Sequence, residues 1–389
     1  MGNLVTHRTS LALVAFLACI APSGCNGSAT PPPITIGHVG DKSRADKATD
    51  QAELGIRLAL SELNKDNALT EAFQGRAVQV RHTDTRGNLD AFASQAVRLD
   101  SVNRAVVLLG GASSREVSAL ANVKTPIVAF HGSSTEGSNS HVLHLGIRPG
   151  AQGNALAMAC IQISLSTRVF AIHDERIAES AIIGDAFASK MQASVKERKA
   201  KVELITTRFG AKAEWSRINQ LLREHTPDLV FFAGEASDFN LWHADLRSKK
   251  TDLPTIIFAG SDGDEKRFDL GAAPTSQVFY ATAFHAGAES EKVRTFTKSY
   301  ADAYLETPTV HAALAYDGLR LTIEAMKRAA PLATPERIRE ELLKPAEIDS
   351  VIGPLFVEKS GQVARTIYVV KWHGKQVSLV HTESAKKAE

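Results

Sequence analysis

The chain has 389 residues, with 45 Lys and Arg against 43 Asp and Glu and a formal net charge of +2, so no field argues for nucleic acid as a partner. Aromatic residues at 6% are too few for a sugar-stacking surface. Of the three cysteines, Cys19 and Cys25 lie near the start and only Cys160 lies in the body, which excludes an intrachain disulfide framework and a cysteine-based zinc site.

In chain order, His7 and Arg8 give a weakly basic start, and Leu11 to Ala21 is an almost unbroken apolar run. It is too short to span a bilayer. Pro22 breaks the run, and Ser23-Gly24-Cys25 supplies a small, small, cysteine ending. This segment resembles a bacterial lipoprotein signal, in which the cysteine thiol is acylated after cleavage, although Pro22 stands where such signals usually carry Leu. Residues 1–25 are therefore expected to be a signal peptide lipidated at Cys25, with ordinary signal cleavage as the alternative. Residues 26–33, ending in Pro31-Pro32-Pro33, read as a stiff polar tether. About 350 residues remain from Ile34 onward, enough for two cores.

From Ile34, apolar runs of strand length alternate with helical patterns. Strands are expected at Ile34 to Val39, Val78 to Arg81, Ala105 to Leu109 and Ile127 to Phe130. Helices are expected at Thr49 to Leu63, Leu89 to Leu99 and Ser114 to Val123. The continuously apolar runs 106–109 and 126–130 suit strands of a parallel sheet covered on both faces. After Gly146 the alternation restarts: helix Gln152 to Leu165, strand Arg168 to Ile172, helix Ser180 to Lys196, strand Val202 to Thr206, helix Ala213 to Glu224, strand Leu229 to Ala233, helix Phe239 to Ser248, and strands Thr255 to Ala259 and Val278 to Thr282. Two long helices, Ser290 to Leu305 and Thr309 to Ala329, follow. A short helix then opens at Thr334-Pro335, an N-cap with proline at the first helical position. A hairpin-like pair, Thr366 to Trp372 and Gln376 to Val380, precedes a charged tail.

The segments Ile34-Thr35-Ile36-Gly37-His38-Val39-Gly40 and Leu54 to Asn64 open this pattern. Leu109 to Ser114, Thr125 to Thr135, Gly260-Ser261-Asp262-Gly263 and Tyr300 to Asp317 continue it. In this order they resemble the leucine/isoleucine/valine-binding protein family, the type I periplasmic binding proteins that serve ABC transporters. The resemblance runs over nearly all of Ile34 to Val380. It implies an α/β fold of two doubly wound parallel-sheet lobes joined by a three-strand hinge. The lobes expected are 34–147 with 284–353 and 148–283 with 354–381, followed by a tail over 382–389.

In open parallel sheets the ligand sits beyond the carboxyl ends of the strands, where Gly110 to Ser114 and His131 to Thr135 leave strands into turns. The resemblance implies that these loops hold a ligand's carboxylate and ammonium, making Ser113, Ser114, Ser133, Ser134 and Thr135 candidates; helix capping by Ser113 is the plainer role. It also implies that Asp262 receives the ammonium, against a plain turn role before Gly263. Glu235 stands where amino-acid binders often carry an aromatic residue, and Ile177 and Ala178 stand near the family's frequent Tyr. His131 and His173 lie at strand ends and can line the cleft, without metal, since no spaced partner accompanies either. Arg44 and Asp46, after the first strand, reach the ligand or remain solvated.

The chain lacks a three-glycine dinucleotide turn, a phosphate-loop Gly-Lys-Ser/Thr and a Gly-x-Ser-x-Gly elbow. No enzyme activity, cofactor or metal site is expected. The expected function is capture of a small polar ligand, an amino acid or related amide or carboxylate, and its delivery to an ABC permease from the periplasmic face of the membrane. The alternative is a sensory module of the same fold coupled to a membrane receptor.

Overall fold

The computed structural model describes residues 31–385, apart from residue 45 and residues 121–122, 133–140, 164–167, 199–201, 212–213, 251–254, 261–267, 269–275, 332, 349, 359 and 374–375. The first part of the chain contributes β1 (Ile34–Gly40), α1 (Ala48–Leu63), α2 (Ala68–Ala72), β2 (Val78–Asp84), α3 (Leu89–Ser101), β3 (Leu108–Gly110), α4 (Ser114–Ala119), β4 (Ile127–Ala129) and β5 (Val142–His144). Its five strands form a parallel sheet in the order β2-β1-β3-β4-β5.

Two-sided burial follows from the period of two. Ile36, Leu109 and Val128 pack into the main core, whereas Val39, Leu108, Ile127 and Ala129 face a second core built with Phe92 and Leu99 of α3. Asn88 caps α3 by accepting the Ala91 N–H at 3.0 Å.

The second sheet is fed by α5 (Pro149–Ile163), β6 (Arg168–Asp174), α6 (Ala178–Arg198), β7 (Glu203–Phe209), α7 (Trp215–His225), β8 (Leu229–Ala233), α8 (Ala236–Ser248), β9 (Thr255–Ala259) and β10 (Gln277–Thr282). The chain then returns through α9 (Glu291–Tyr304), α10 (Val310–Ala329) and α11 (Pro335–Leu342). It ends through β11 (Ala346–Ile348), β12 (Leu355–Val357), β13 (Val363–Arg365), β14 (Ile367–His373) and β15 (Gln376–Glu383). The second sheet runs β15-β14-β10-β9-β8-β6-β7. It is parallel from β7 to β10 and antiparallel over β14 and β15, because a hairpin joins those last two strands.

Helix α10 is buried on nearly every side, which explains its Ala-rich sequence. It packs on α1, where Gly55 admits the carbonyl of Ala312: a Cβ at 55 would stand 2.1 Å from that oxygen. Thr334 caps α11 by accepting the Arg337 N–H, with Pro335 in the first turn as the sequence suggests.

Residues 355–365 hold β12 and β13; β12 pairs with β11 and with β13 in a separate three-stranded sheet, and Gln362 bridges to His144 of β5 beside the first sheet. Short strands of this kind carry too few residues to show a period. The last crossing toward the second sheet therefore falls at Thr366, between β13 and β14. Buried Arg365 stands at that crossing and donates to the carbonyls of Leu145 and, at 3.0 Å, Ala283, which flank the other two passages of the chain.

In the main core, a polar chain links α7 to α8. Trp242 Nε1–H donates to Asn219 Oδ1 at 2.8 Å, and Asn219 Nδ2 donates to Asp245 Oδ2 at 2.6 Å. Both Asn219 and Trp242 are 0% exposed. Replacing Asn219 with alanine strands the indole N–H without an acceptor and is expected to cost about 1–3 kcal/mol in urea denaturation. An unchanged midpoint would show that this bond adds nothing.

Candidate functional site

A cavity open to solvent lies between the carboxyl ends of the two sheets. The first sheet contributes Ser113 and Ser114 from the start of α4, His131 just beyond β4, and Ile147 beyond β5. The second contributes Ile177, Glu179, Ser180 and Ile183 around the start of α6, Gly234 and Glu235 beyond β8, and Gly260 beyond β9. Pro149 and Gln152 of α5 complete the wall.

Ser113 has the capping role as well as the lining one. Its hydroxyl accepts the Glu116 N–H at 3.3 Å, while Glu116 Oε2 accepts the Ala112 N–H at 2.7 Å. This reciprocal pair fixes the turn and leaves Ser114 facing the cavity. Burial pushes the Glu116 carboxyl above its usual range, against the pull of the Arg44 cation. Arg44 in turn makes a two-pronged bond to Asp46, with Nε to Oδ1 at 3.0 Å and Nη2 to Oδ2 at 2.6 Å.

The two sides meet at His131 and Glu179. His131 is 8% exposed, its Nε2 stands 3.5 Å from Glu179 Oε1, and neither ring nitrogen makes a hydrogen bond of good geometry. Burial raises the Glu179 carboxyl, but His131 and the Ser114 hydroxyl act the other way and bring it below the ordinary carboxylate value. The wall is held from the second side by Gln152, whose Nε2 donates to Gly260 O at 2.7 Å. Such a cavity presents hydroxyls, an imidazole and carboxylates among isoleucines.

Four expected site residues, Ser113, Ser114, His131 and Glu235, therefore line one cavity. Ser133, Ser134, Thr135, Asp262 and Cys25 lie outside the described residues. His173 does not reach this cavity: it lines a separate one between β6, β7 and α6, against Gly184. Glu179 and Gln152 went unnoticed in the sequence, although Glu179 opens a helix beyond a strand's carboxyl end, where the ligand position predicts polar groups. Cys160 is buried, and burial pushes its thiol up to about 12, as an inert core residue. Among the described residues no helix is long and apolar enough to cross a membrane.

Comparison with known proteins accords with this geometry. A family model described as periplasmic binding protein matches residues 33–376. A leucine-binding protein LivK from Thermotoga maritima superposes with a TM-score of 0.73 at 19% identity, covering 90% of this chain and 99% of that one. LivJ from Streptococcus pneumoniae in complex with isoleucine gives 0.73 at 20% identity, covering 91% and 100%. A solute-binding protein of an ABC transporter from Rhodopseudomonas palustris, in complex with 3,4-dihydroxybenzoic acid, gives 0.71 at 16% identity, covering 91% and 98%. No curated protein matches the chain significantly. With its two α/β sheets facing a shared cavity and a family match over most of its length, the chain belongs to the periplasmic binding protein family, whose members bind solutes outside the cytoplasm and are not enzymes.

Proposed function

We propose that this protein captures a small amino acid, or a related amide or carboxylate, by closing its two lobes over the cavity, and hands it to an ABC permease. The observation that carries this reading is the polarity of the cavity: Ser113, Ser114, Glu179 and Glu235 line it together with Ile147, Ile177 and Ile183. Hydroxyls suit a carboxylate, acidic groups suit an ammonium, and the isoleucines suit an aliphatic side chain. Ser133, Ser134, Thr135 and Asp262 are proposed to complete the cradle. The hinge is proposed to be the three passages that Arg365 joins, and contacts from a ligand to both sides would favour the closed state. A lipid on Cys25 would keep the binder at the membrane face.

A thermal-shift screen tests the reading with aliphatic and polar amino acids, short amides and carboxylates, and benzoates as probes. Binding at a hundred times Kd stabilises the folded chain by about 2.7 kcal/mol, so an amino acid is expected to raise the melting temperature. Glu179→Ala is expected to weaken that ligand at least about tenfold, or 1.4 kcal/mol. A shift by benzoates alone would transfer the assignment to aromatic acids, and an unchanged affinity in Glu179→Ala would remove the cavity's role.

A further inference from the structure

Away from the cavity, three residues distant in sequence come together on the first sheet. His38 of β1 and His82 of β2 are cross-strand partners in register, and the period of two turns both toward α1. Their Nδ1 atoms stand 3.0 Å apart. Glu53 of α1 completes the group, with Oε1 at 3.8 Å from His82 Nδ1. One potential ligand atom from each of the three lies within 4.8 Å of the others.

We propose that His38, His82 and Glu53 form a binding site for a divalent transition metal, of which Zn²⁺ is the best match. Two imidazoles and one carboxylate are a zinc donor set with an open fourth position. Tetrahedral zinc with ligands at about 2.0–2.1 Å sets its donors about 3.3 Å apart, so 3.0 and 3.8 Å bracket the need. Side-chain adjustments of roughly half an ångström close these two gaps.

The surroundings prepare the donors. The Glu53 side chain is 6% exposed, and its Oε1 is buried with no hydrogen bond of good geometry. His38 is 1% exposed, and neutral imidazole is the form that ligates metals. The competitor is Lys42, whose Nζ stands 2.9 Å from Oε1 and donates to Oε2 at 2.9 Å. At 40% exposure its ammonium can swing into solvent when the metal enters. Arg57, at 3.7 Å from Oε2 and 61% exposed, is as free to leave. None of the three donors lines the solute cavity, so the metal and the solute occupy different places and the site stands whatever the solute is.

Isothermal titration of tag-free, chelator-stripped protein with ZnCl₂, paired with the visible absorption of Co²⁺, tests the site. Wild type is expected to take up one equivalent and to give the intense spectrum of tetrahedral cobalt. His82→Ala and Glu53→Gln are each expected to lose at least about tenfold in affinity. Lys42→Met, at a half-exposed position, is expected to bind more tightly than wild type, an outcome that a plain Lys42–Glu53 ion pair does not produce. The far-ultraviolet circular dichroism of each metal-free variant verifies its fold. Absence of uptake by folded wild type and Lys42→Met overturns the proposal, and so does unchanged affinity in folded His82→Ala and Glu53→Gln.

Discussion

Replacing Gly132 with alanine is expected to disturb the cavity floor enough to weaken both the fold and solute binding. An added Cβ would stand 2.0 Å from Ile147 O and 2.5 Å from its carbonyl carbon. The approach is mutual, since a Cβ on Gly146 would stand 2.2 Å from the Gly132 nitrogen. Both obstacles are backbone, so neither can rotate away; the segments beyond β4 and β5 must part. Those segments carry His131 and Ile147, which line the cavity. Overpacking of this kind costs about 1–3 kcal/mol, and more where main chain has to move. Urea denaturation should therefore show a lower midpoint, and whichever ligand the screen identifies should bind at least about tenfold more weakly. Gly150, with nothing within 4 Å of its Cβ, supplies the control. In the first turn of α5, its replacement by alanine is expected to be neutral or to stabilise by up to about 1 kcal/mol. Equal loss in both variants would show that close approach is not the cause.

The parts of this fold that are legible in the sequence are those set by local pattern. The apolar runs at Leu229–Ala233 and Thr255–Ala259 are strands with the expected bounds, because each is buried on both faces and needs no partner to reveal it. Helix α10 is likewise expected from its Thr309 start to its Ala329 end. The elements missed are short: β5, β11, β12 and β13 have three residues each and α2 five, too few for a period.

The cavity follows the same division. Loops leaving parallel strands point to Ser113, Ser114, His131 and Glu235, since strand ends are local features. Glu179 acquires its meaning only from His131 across the cavity, a contact between residues 48 positions apart in sequence. The His38, His82 and Glu53 group is of the same kind. Each residue is unremarkable in its own segment, and only strand register together with the seating of α1 brings them together.

Removal of the Asp46 carboxylate is expected to destabilise the fold strongly, and in a pH-dependent way. Asp46 accepts both prongs of Arg44 and also the Ala48 N–H at 3.2 Å, which opens α1. Its side chain is 6% exposed and that of Arg44 24%, so water screens the pair only weakly. Burial alone would raise the carboxyl, but the Arg44 bonds and charge outweigh it and hold the group at about 2, against an ordinary 3.8. A depressed acid stabilises the fold while it is ionised in both states, so this contribution is complete above pH 3.8 and fades as the pH falls through about 2. The difference corresponds to about 2 kcal/mol. Asp46→Ala also strands the guanidinium and the Ala48 N–H, giving an expected loss of about 2–4 kcal/mol at neutral pH. Asp46→Asn keeps one acceptor and should lose less. In urea denaturation the gap between wild type and Asp46→Asn should hold from pH 7 to pH 5, narrow below pH 4 and nearly close by pH 2. A gap of constant size over that range would mean that the ion pair is neutral in its effect and that the asparagine fails only through its packing. Closure of the gap, by contrast, would locate the stabilisation in the charge itself, at the turn that sets α1 against the first sheet.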